Sequence, residues 1–275
     1  MDGSLWRVLG ILLLALMVLI GLLVACGEPV STPEPVFMQV AGSTSMVQLA
    51  SDLAAGFAEQ SSTVSIDVIG QGTRFGLNEL AAGRAEIALA SWLPDDLDDQ
   101  WRATAVARDG VAIIVHPGNN VDGVGLLQLQ DLFSGRTYEW TGVGGARSQG
   151  EIQVVSREAG SGTRDAFETL VMGDKGVTPL AVVAPSSEAV IEYVATHKGA
   201  VGYVSMGGAA PAVKVLGVEG EFPTVQTVQE GSYPLSHELW LVTAQSPGST
   251  VRSFLRFAQG PAGQQIVGRY FGRIR

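Results

Sequence analysis

The chain has 275 residues, a formal net charge of −10 and 46% hydrophobic residues. An acidic body argues against nucleic acid or an anionic membrane surface as a partner, and a single cysteine, Cys26, excludes disulfides and cysteine metal sites from the rest of the chain. The length is sufficient for one large domain or two small ones with real cores.

The N-terminal segment has the pattern of an export signal followed by a tether. Residues 9–24 are almost uninterruptedly apolar, and Leu23-Val24-Ala25-Cys26-Gly27 follows. Small residues before a cysteine at this place resemble the bacterial lipobox, where cleavage leaves a lipid-modified cysteine as the new N-terminus. We therefore predict a lipoprotein signal peptide over 1–26, lipidation of Cys26, and a flexible proline-rich tether over 27–36. A plain transmembrane anchor is the alternative, because the apolar run is about long enough to span a bilayer.

Strand-like and helical patterns alternate from residue 37 onward. Strands are predicted at 37–40, 64–68, 87–90, 111–115, 152–155, 199–204 and 238–243. Helices are predicted at 46–59, 77–82, 126–133, 165–172, 188–196, 250–259 and 263–270. This alternation is typical of an α/β protein in which helices cover parallel sheets.

Three loops rich in glycine and hydroxyl groups each follow a strand and precede a helix. They lie at 42–45, 70–76 and 160–163. Ligands of open α/β sheets bind beyond the carboxyl ends of the strands, where such loops gather. Backbone N–H groups at a helix start, the hydroxyls of Ser161 and Thr163, and the Arg157 guanidinium together suit a small tetrahedral oxyanion. Ordinary helix capping explains one such loop, but three of them favour a shared anion site.

These loops resemble those of the PstS-like family, the phosphate-binding proteins of phosphate ABC importers. Residues 156–168 (SREAGSGTRDAFE) are similar to the family's anion-binding signature, and 41–46 (AGSTSM) to its first binding loop. Residues 70–91 are similar to its second loop, helix and strand. The likeness continues in order through nearly the whole chain after the tether.

The resemblance implies an α/β fold of the type II periplasmic-binding-protein class. In that fold a two-stranded hinge joins two lobes, which close on an anion in the cleft between them. Mapped onto this chain, lobe 1 would comprise residues 37–111 and 238–275, and lobe 2 would comprise residues 112–237. The chain would cross between the lobes near 111–115 and return near 236–241.

The resemblance further implies a monomeric extracytoplasmic lipoprotein, held at the cell membrane through Cys26, that captures inorganic phosphate for an ABC permease. It implies no enzymatic activity, catalytic residue, cofactor or metal. The phosphate-binding residues that it places on this chain are Ser43, Thr44, Ser45, Thr73, Ser91, Arg157, Ser161, Gly162 and Thr163. A binder of sulfate, molybdate or tungstate is one alternative, and a surface sensor or adhesion module without transport is another.

Two positions depart from the family pattern. Trp92 follows Ser91, where many members have an aspartate that accepts the proton of hydrogen phosphate. Asp95 or Asp96 could substitute for that aspartate, although these acids fit a solvated helix start better. Ala159 stands where a further aspartate is frequent, so the support of Arg157 is expected to differ. For the tryptophans, core or lobe-interface packing is the default interpretation.

Overall fold

The computed structural model describes residues 10–14, 17, 35–94, 96–144 and 150–274. The chain separates into residues 1–35 and a compact unit that begins at Val36. Cys26, most of the predicted signal peptide and nearly all of the predicted tether lie outside the described residues. Among the residues described, no helix combines the length and the hydropathy needed to cross a membrane.

The unit from Val36 onward alternates strands and helices, as its sequence pattern predicts. The strands are β1 (Val36–Gly42), β2 (Val64–Gly70), β3 (Ile87–Ala90), β4 (Trp101–Val115), β5 (Gly123–Val124), β6 (Gln153–Arg157), β7 (Val182–Ala184), β8 (Ala200–Ser205), β9 (Lys214–Val215), β10 (Gly217–Val218) and β11 (Ser236–Ala244). The α-helices are α1 (Val47–Ala58), α2 (Thr73–Ala81), α3 (Leu126–Phe133), α4 (Gly162–Phe167), α5 (Ser187–Thr196), α6 (Val225–Glu230), α7 (Ser249–Gln259) and α8 (Pro261–Val267).

The main sheet has the order β2-β1-β3-β11-β4-β8-β6-β7, and β9 also pairs with β4. Strands β1, β2 and β3 run parallel to one another, as do β6, β7 and β8. β11 and β4 lie between these two groups and pair antiparallel with each other and with their neighbours. β3 is buried on both faces, which explains its apolar sequence IALA.

β4 is the element that joins the two parts of the sheet. Its first part pairs with β11, ending at Ser236 opposite Gly110, and its last part pairs with β8, where Val111 lies opposite Ser205. The sequence predicts only the apolar end of this strand, because residues 101–110 mix charged and apolar side chains. The predicted helix start near Asp96 is wrong: residues 96–100 form turns that lead into β4.

The buried apolar side chains of the described residues form two groups of clusters, and the division between the groups falls within β4. Two clusters are built from residues 38–107 and 239–271. Two others are built from residues 111–235. β4 therefore changes from one group of cores to the other along its length, and on the returning chain the change falls between Leu235 and Leu239, at the start of β11.

Candidate functional site

The hydroxyl groups of the first loop meet the end of β3. Ser43 Oγ lies 2.5 Å from Ser91 Oγ and 3.0 Å from Ser45 Oγ, and Ser45 Oγ lies 3.3 Å from Ser91 Oγ. Ser43 and Ser91 are buried. Thr44 is half-buried beside the second loop, where its Cα lies 3.5 Å from the position of a Cβ built on Gly70. The three serines form a compact cluster of hydroxyls at the carboxyl ends of β1 and β3.

The second loop joins this cluster through Thr73, the first residue of α2. The fully buried Thr73 Oγ1 accepts a hydrogen bond of 3.1 Å from the Ser91 backbone N–H. Gly72 precedes it with φ of 96°, a backbone conformation that favours glycine. A Cβ on Gly72 would lie 2.5 Å from the carbonyl oxygen of Gly160, so the second and third loops are in direct contact.

The third loop brings the start of α4 against both of the others. Ser161 is the N-cap, and its Oγ accepts from Arg164 N–H at 3.4 Å. A Cβ on Gly162 would lie 2.7 Å from Ser91 Oγ and from Thr73 Oγ1. The N–H groups of Gly162 and Thr163 head the helix, where amides have no intrahelical acceptor. α4 begins three residues earlier than the sequence predicts.

Arg157 is the last residue of β6 and is 1% exposed. Its Nε and Nη2 donate to the two carboxylate oxygens of Glu158, at 2.9 and 2.8 Å, and its Nη1 donates to Ser187 Oγ at 3.0 Å. Glu158 therefore supplies the bidentate support that the Ala159 position lacks. Arg157 is held by these partners within the protein and does not extend into solvent.

Two residues that position Arg157, Ser187 and Tyr203, are not among those predicted from the sequence. Ser187 begins α5, and a Ser-Ser-Glu sequence before a helical pattern is a recognisable start signal. The Tyr203 hydroxyl accepts from the Arg157 backbone N–H at 3.3 Å and lies 2.8 Å from Ser156 Oγ. Burial raises the pKa of Tyr203 to about 12, so its hydroxyl stays protonated. Only the pairing of β6 with β8 brings this tyrosine to the loop, and no local pattern predicts it.

The structure thus brings five of the predicted residues together around Ser91, namely Ser43, Ser45, Thr73, Gly162 and Ser91 itself. Thr44, Ser161 and Thr163 lie in the same loops. Arg157 lies at the end of the strand that leads into the third loop, and no contact joins its side chain to the hydroxyl cluster. Asp96 is exposed, and Asp95 lies outside the described residues. Among the described residues, no group of three or more His, Cys, Asp or Glu side chains could hold a metal ion.

A sequence model of a protein family, described as a PBP superfamily domain, matches residues 29–261. The chain is 34% identical over 128 residues to phosphate-binding protein PstS 2 of Streptococcus pneumoniae. That alignment covers 44% of this chain and only 44% of the relative's length.

Two solved structures resemble the fold over most of its length. One is a Clostridium perfringens protein assigned as a phosphate ABC transporter substrate-binding protein and solved with bound phosphate. It shares 29% identity and a TM-score of 0.80, covering 87% of this chain and 100% of that one. The other is an ABC-type phosphate transport receptor from Vibrio cholerae, with 29% identity and a TM-score of 0.74 over 86% and 99% of the two chains.

Proposed function

Because the chain belongs to the PBP superfamily, as a PstS-like member with the two-lobed type II α/β fold, we propose that it captures inorganic phosphate outside the cytoplasm and delivers it to an ABC importer. The observation that carries this proposal is the convergence of the three loops. Ser43, Thr73, Ser91 and Gly162 come from distant parts of the sequence and lie in direct contact.

The chemistry of these loops favours an oxyanion. The hydroxyl groups can donate hydrogen bonds. The amides of Gly162 and Thr163 lie at the N-terminus of a helix, where the helix dipole is positive, and the Arg157 guanidinium is close in sequence. Of the carboxyl groups beside these loops, Glu158 is paired with Arg157. Burial raises the pKa of the other, Asp165 of α4, which favours its uncharged form. Phosphate is favoured over other oxyanions because the Clostridium perfringens relative was solved with bound phosphate.

A binder of sulfate, molybdate or tungstate is the second candidate, and Trp92 is the observation that favours it. A fully ionised anion needs no acceptor, and Trp92 stands where many PstS-like proteins have an aspartate. Discrimination between such anions rests on a buried acceptor that the wrong ligand leaves unpaired.

We place lobe 1 at residues 37–111 and 238–275 and lobe 2 at residues 112–237. The division of the buried cores near β4 and β11 supports this placement. On this proposal, Ser91 and Thr73 belong to one lobe and Gly162 to the other, so an anion between them would stabilise the closed arrangement. Closure is then a population shift driven by contacts that exist only in the closed state. The protein carries out no chemistry and works as a monomer.

Titration calorimetry with phosphate, on the protein and on its Arg157→Ala variant, tests the proposal. We expect one phosphate per chain, and a loss of affinity of about 10-fold or more in the variant, because charge-assisted hydrogen bonds contribute about 1.5–3 kcal/mol each. Arg136→Ala is the control, since Arg136 is exposed and lies in an ion pair 3.6 Å from Asp131. Binding of sulfate or molybdate but not phosphate would favour the second candidate, and unchanged phosphate affinity in Arg157→Ala would contradict the assignment of Arg157.

We also propose that residues 1–26 are a lipoprotein signal peptide and that Cys26 carries the lipid. The sequence around Cys26 supports this, as does its position after the apolar run. In a bacterial host, the unchanged protein is expected in the membrane fraction, and Cys26→Ser should prevent lipid labelling. Labelling with a radioactive or clickable fatty acid checks this. Equal labelling of both forms would contradict the assignment. A surface sensor without transport would give the same labelling result as a transport protein, but it would bind no permease.

A further inference from the structure

The acidic and basic residues of this chain are distributed unevenly along the sequence. All 27 acidic residues lie between Asp2 and Glu238, and residues 239–275 contain none. That last segment contains five of the 17 basic residues, all of them arginines, so its formal charge is +5. Residues 1–238, with 12 basic and 27 acidic residues, carry −15. The net charge of the whole chain argues against an anionic partner, but it does not describe this segment.

Two of these arginines share the exposed side of α7. Arg252 and Arg256 are four residues apart, so their side chains project from the same side of the helix. Both are exposed, whereas Phe254 and Ala258 are buried on the opposite side. Arg252 donates to a backbone carbonyl and Arg256 to the hydroxyl of Ser253, so these hydrogen bonds neutralise neither charge.

Two further arginines, Arg269 and Arg273, continue this surface after α8. α8 packs against α7, and Arg273 lines one hollow of the surface with Gln259 of α7 and Gln265 of α8. Arg269 follows α8 directly, and both arginines are exposed. We call these four exposed side chains the arginine face: Arg252, Arg256, Arg269 and Arg273.

The arginine face has no ion pair with any carboxylate of the described residues. Elsewhere in the described parts of the chain, five of seven arginines lie within 3.8 Å of a carboxylate oxygen: Arg84, Arg108, Arg136, Arg157 and Arg164. α1, which packs against α8, adds two acids, Asp52 and Glu59, at its end and along its length, so the four arginines leave this region positive. Such a face attracts anions over about one Debye length, about 10 Å at 0.1 M salt.

The place where the chain enters the compact unit lies close to these helices. Val36 N–H donates to the Thr63 carbonyl oxygen at 2.9 Å, shortly after the end of α1. The Phe57 ring in the last turn of α1 packs on α7, with centroids 5.5 Å from Phe254 and 5.7 Å from Phe257. If Cys26 carries a lipid, as proposed above, the chain from Cys26 to Val36 spans at most about 35 Å. A short tether of this kind makes a weak contact with the same bilayer effectively intramolecular.

We propose that the arginine face binds the anionic phospholipid headgroups of the membrane that carries the lipid anchor. Guanidinium groups donate bidentate hydrogen bonds to phosphate oxygens, which suits headgroup phosphates. Each arginine near an anionic membrane surface strengthens binding by about fivefold. The face therefore adds a second, charge-dependent contact to the lipid anchor.

Cosedimentation with lipid vesicles tests this proposal on the chain that the proposed cleavage leaves, residues 26–275, with Cys26→Ser so that no lipid holds it. This chain keeps the whole compact unit. We expect binding to vesicles with about 30% phosphatidylglycerol, little binding to phosphatidylcholine alone, and loss of binding in about 0.5 M salt. Arg252→Gln should lower the partition coefficient by about fivefold, and Arg252→Gln with Arg256→Gln by about 20-fold. Arg136→Gln, which removes an exposed arginine outside the face, should leave it nearly unchanged.

The outcomes separate this inference from the proposed function. A chain that binds phosphate but no anionic vesicles would overturn the inference and leave the proposed function standing. Equal binding to neutral vesicles, or an equal loss in Arg136→Gln, would also overturn it, because the contact would then not depend on the charge of the arginine face. If vesicle binding is absent and the arginine variants instead weaken a complex with the permease, the face binds a protein and the lipid assignment is wrong. Circular dichroism checks that each variant is folded.

Discussion

Phosphate affinity is expected to fall by about 10- to 100-fold when Gly162 is replaced by alanine, since overpacking in a close-packed site costs about 1–3 kcal/mol. The added methyl group would lie 2.7 Å from Ser91 Cβ, Ser91 Oγ and Thr73 Oγ1. All three neighbours are buried, so the methyl group must push the start of α4 away from the other loops. Titration calorimetry measures the loss.

Gly176→Ala is the matched control. Gly176 is exposed, and a Cβ there would meet no atom within 4 Å. We expect its phosphate affinity to equal that of the unchanged protein. Because the proposed lobe boundary separates Gly162 from Ser91 and Thr73, the clash opposes closure of the lobes and not the folding of either one. Gly162→Ala should therefore keep most of its thermal stability, which separates lost binding from lost folding. Undiminished phosphate affinity in Gly162→Ala would show that the anion does not sit where the three loops meet.

A second large effect, on the pH dependence of stability, is expected where β4 pairs with the start of β11, next to the change from one group of cores to the other. Asp109 and His237 lie opposite each other in this strand pair, with Nε2 and Oδ2 4.0 Å apart. Asp109 is fully buried, and its Oδ1 accepts from the Met206 N–H at 3.2 Å. Burial raises the pKa of Asp109 to about 7 and lowers the pKa of His237 to about 4. Between about pH 4 and 6.5, each of the two groups therefore has a different protonation state in the folded and in the unfolded chain.

In the unchanged protein, the contributions of the two groups to the pH dependence of stability nearly cancel. Between about pH 4 and 6.5 the folded pair holds one proton, on the carboxyl group, and the unfolded pair also holds one, on the imidazole. The pair therefore adds little pH dependence to the stability of the unchanged protein. Removing one partner exposes the dependence of the other.

In Asp109→Asn, the free energy of unfolding should fall as the pH falls from about 6.5 to 4, because only the unfolded chain then protonates the histidine. In His237→Gln it should fall as the pH rises from about 4 to 7, because only the unfolded chain then ionises the aspartate. Relative to the unchanged protein, each slope amounts to about 1–2 kcal/mol between pH 4.5 and 6, with opposite signs.

Urea unfolding at these two pH values measures both slopes. Asp131→Asn, at a half-buried position far from this pair in the sequence, is the control and should follow the unchanged protein. Slopes of the same sign in the two variants, or no change in either, would contradict the assignment of Asp109 and His237 as a neutral buried pair.

The sequence predicts the parts of the fold that depend on local pattern. The alternation of strands and helices, the three loops and the apolar end of β4 could be read directly, because burial on both faces leaves continuous apolar runs. Residues 101–110 could not be assigned in the same way, since this half of β4 has one half-buried face and carries charges such as Arg102 and Arg108. The acidic residues before it imitate a helix start but form turns.

The candidate site shows the same division. That three loops should meet follows from their places after strands of one sheet, and Ser43, Thr73, Ser91 and Gly162 do meet. The support of Arg157 by Ser187, and of its backbone by Tyr203, depends on which strands become neighbours. The opposition of Asp109 and His237 depends on the register of two strands more than a hundred residues apart. Such long-range pairings leave no local pattern in a single sequence.

A crystal structure of the protein grown with phosphate tests the central claim most directly. We predict one phosphate at the junction of the three loops, with hydrogen bonds from the cluster of Ser43, Ser45 and Ser91, from the amides of Gly162 and Thr163, and from Arg157. A phosphate bound elsewhere, or an Arg157 guanidinium that contacts only Glu158 and Ser187 while phosphate occupies the loops, would contradict this account.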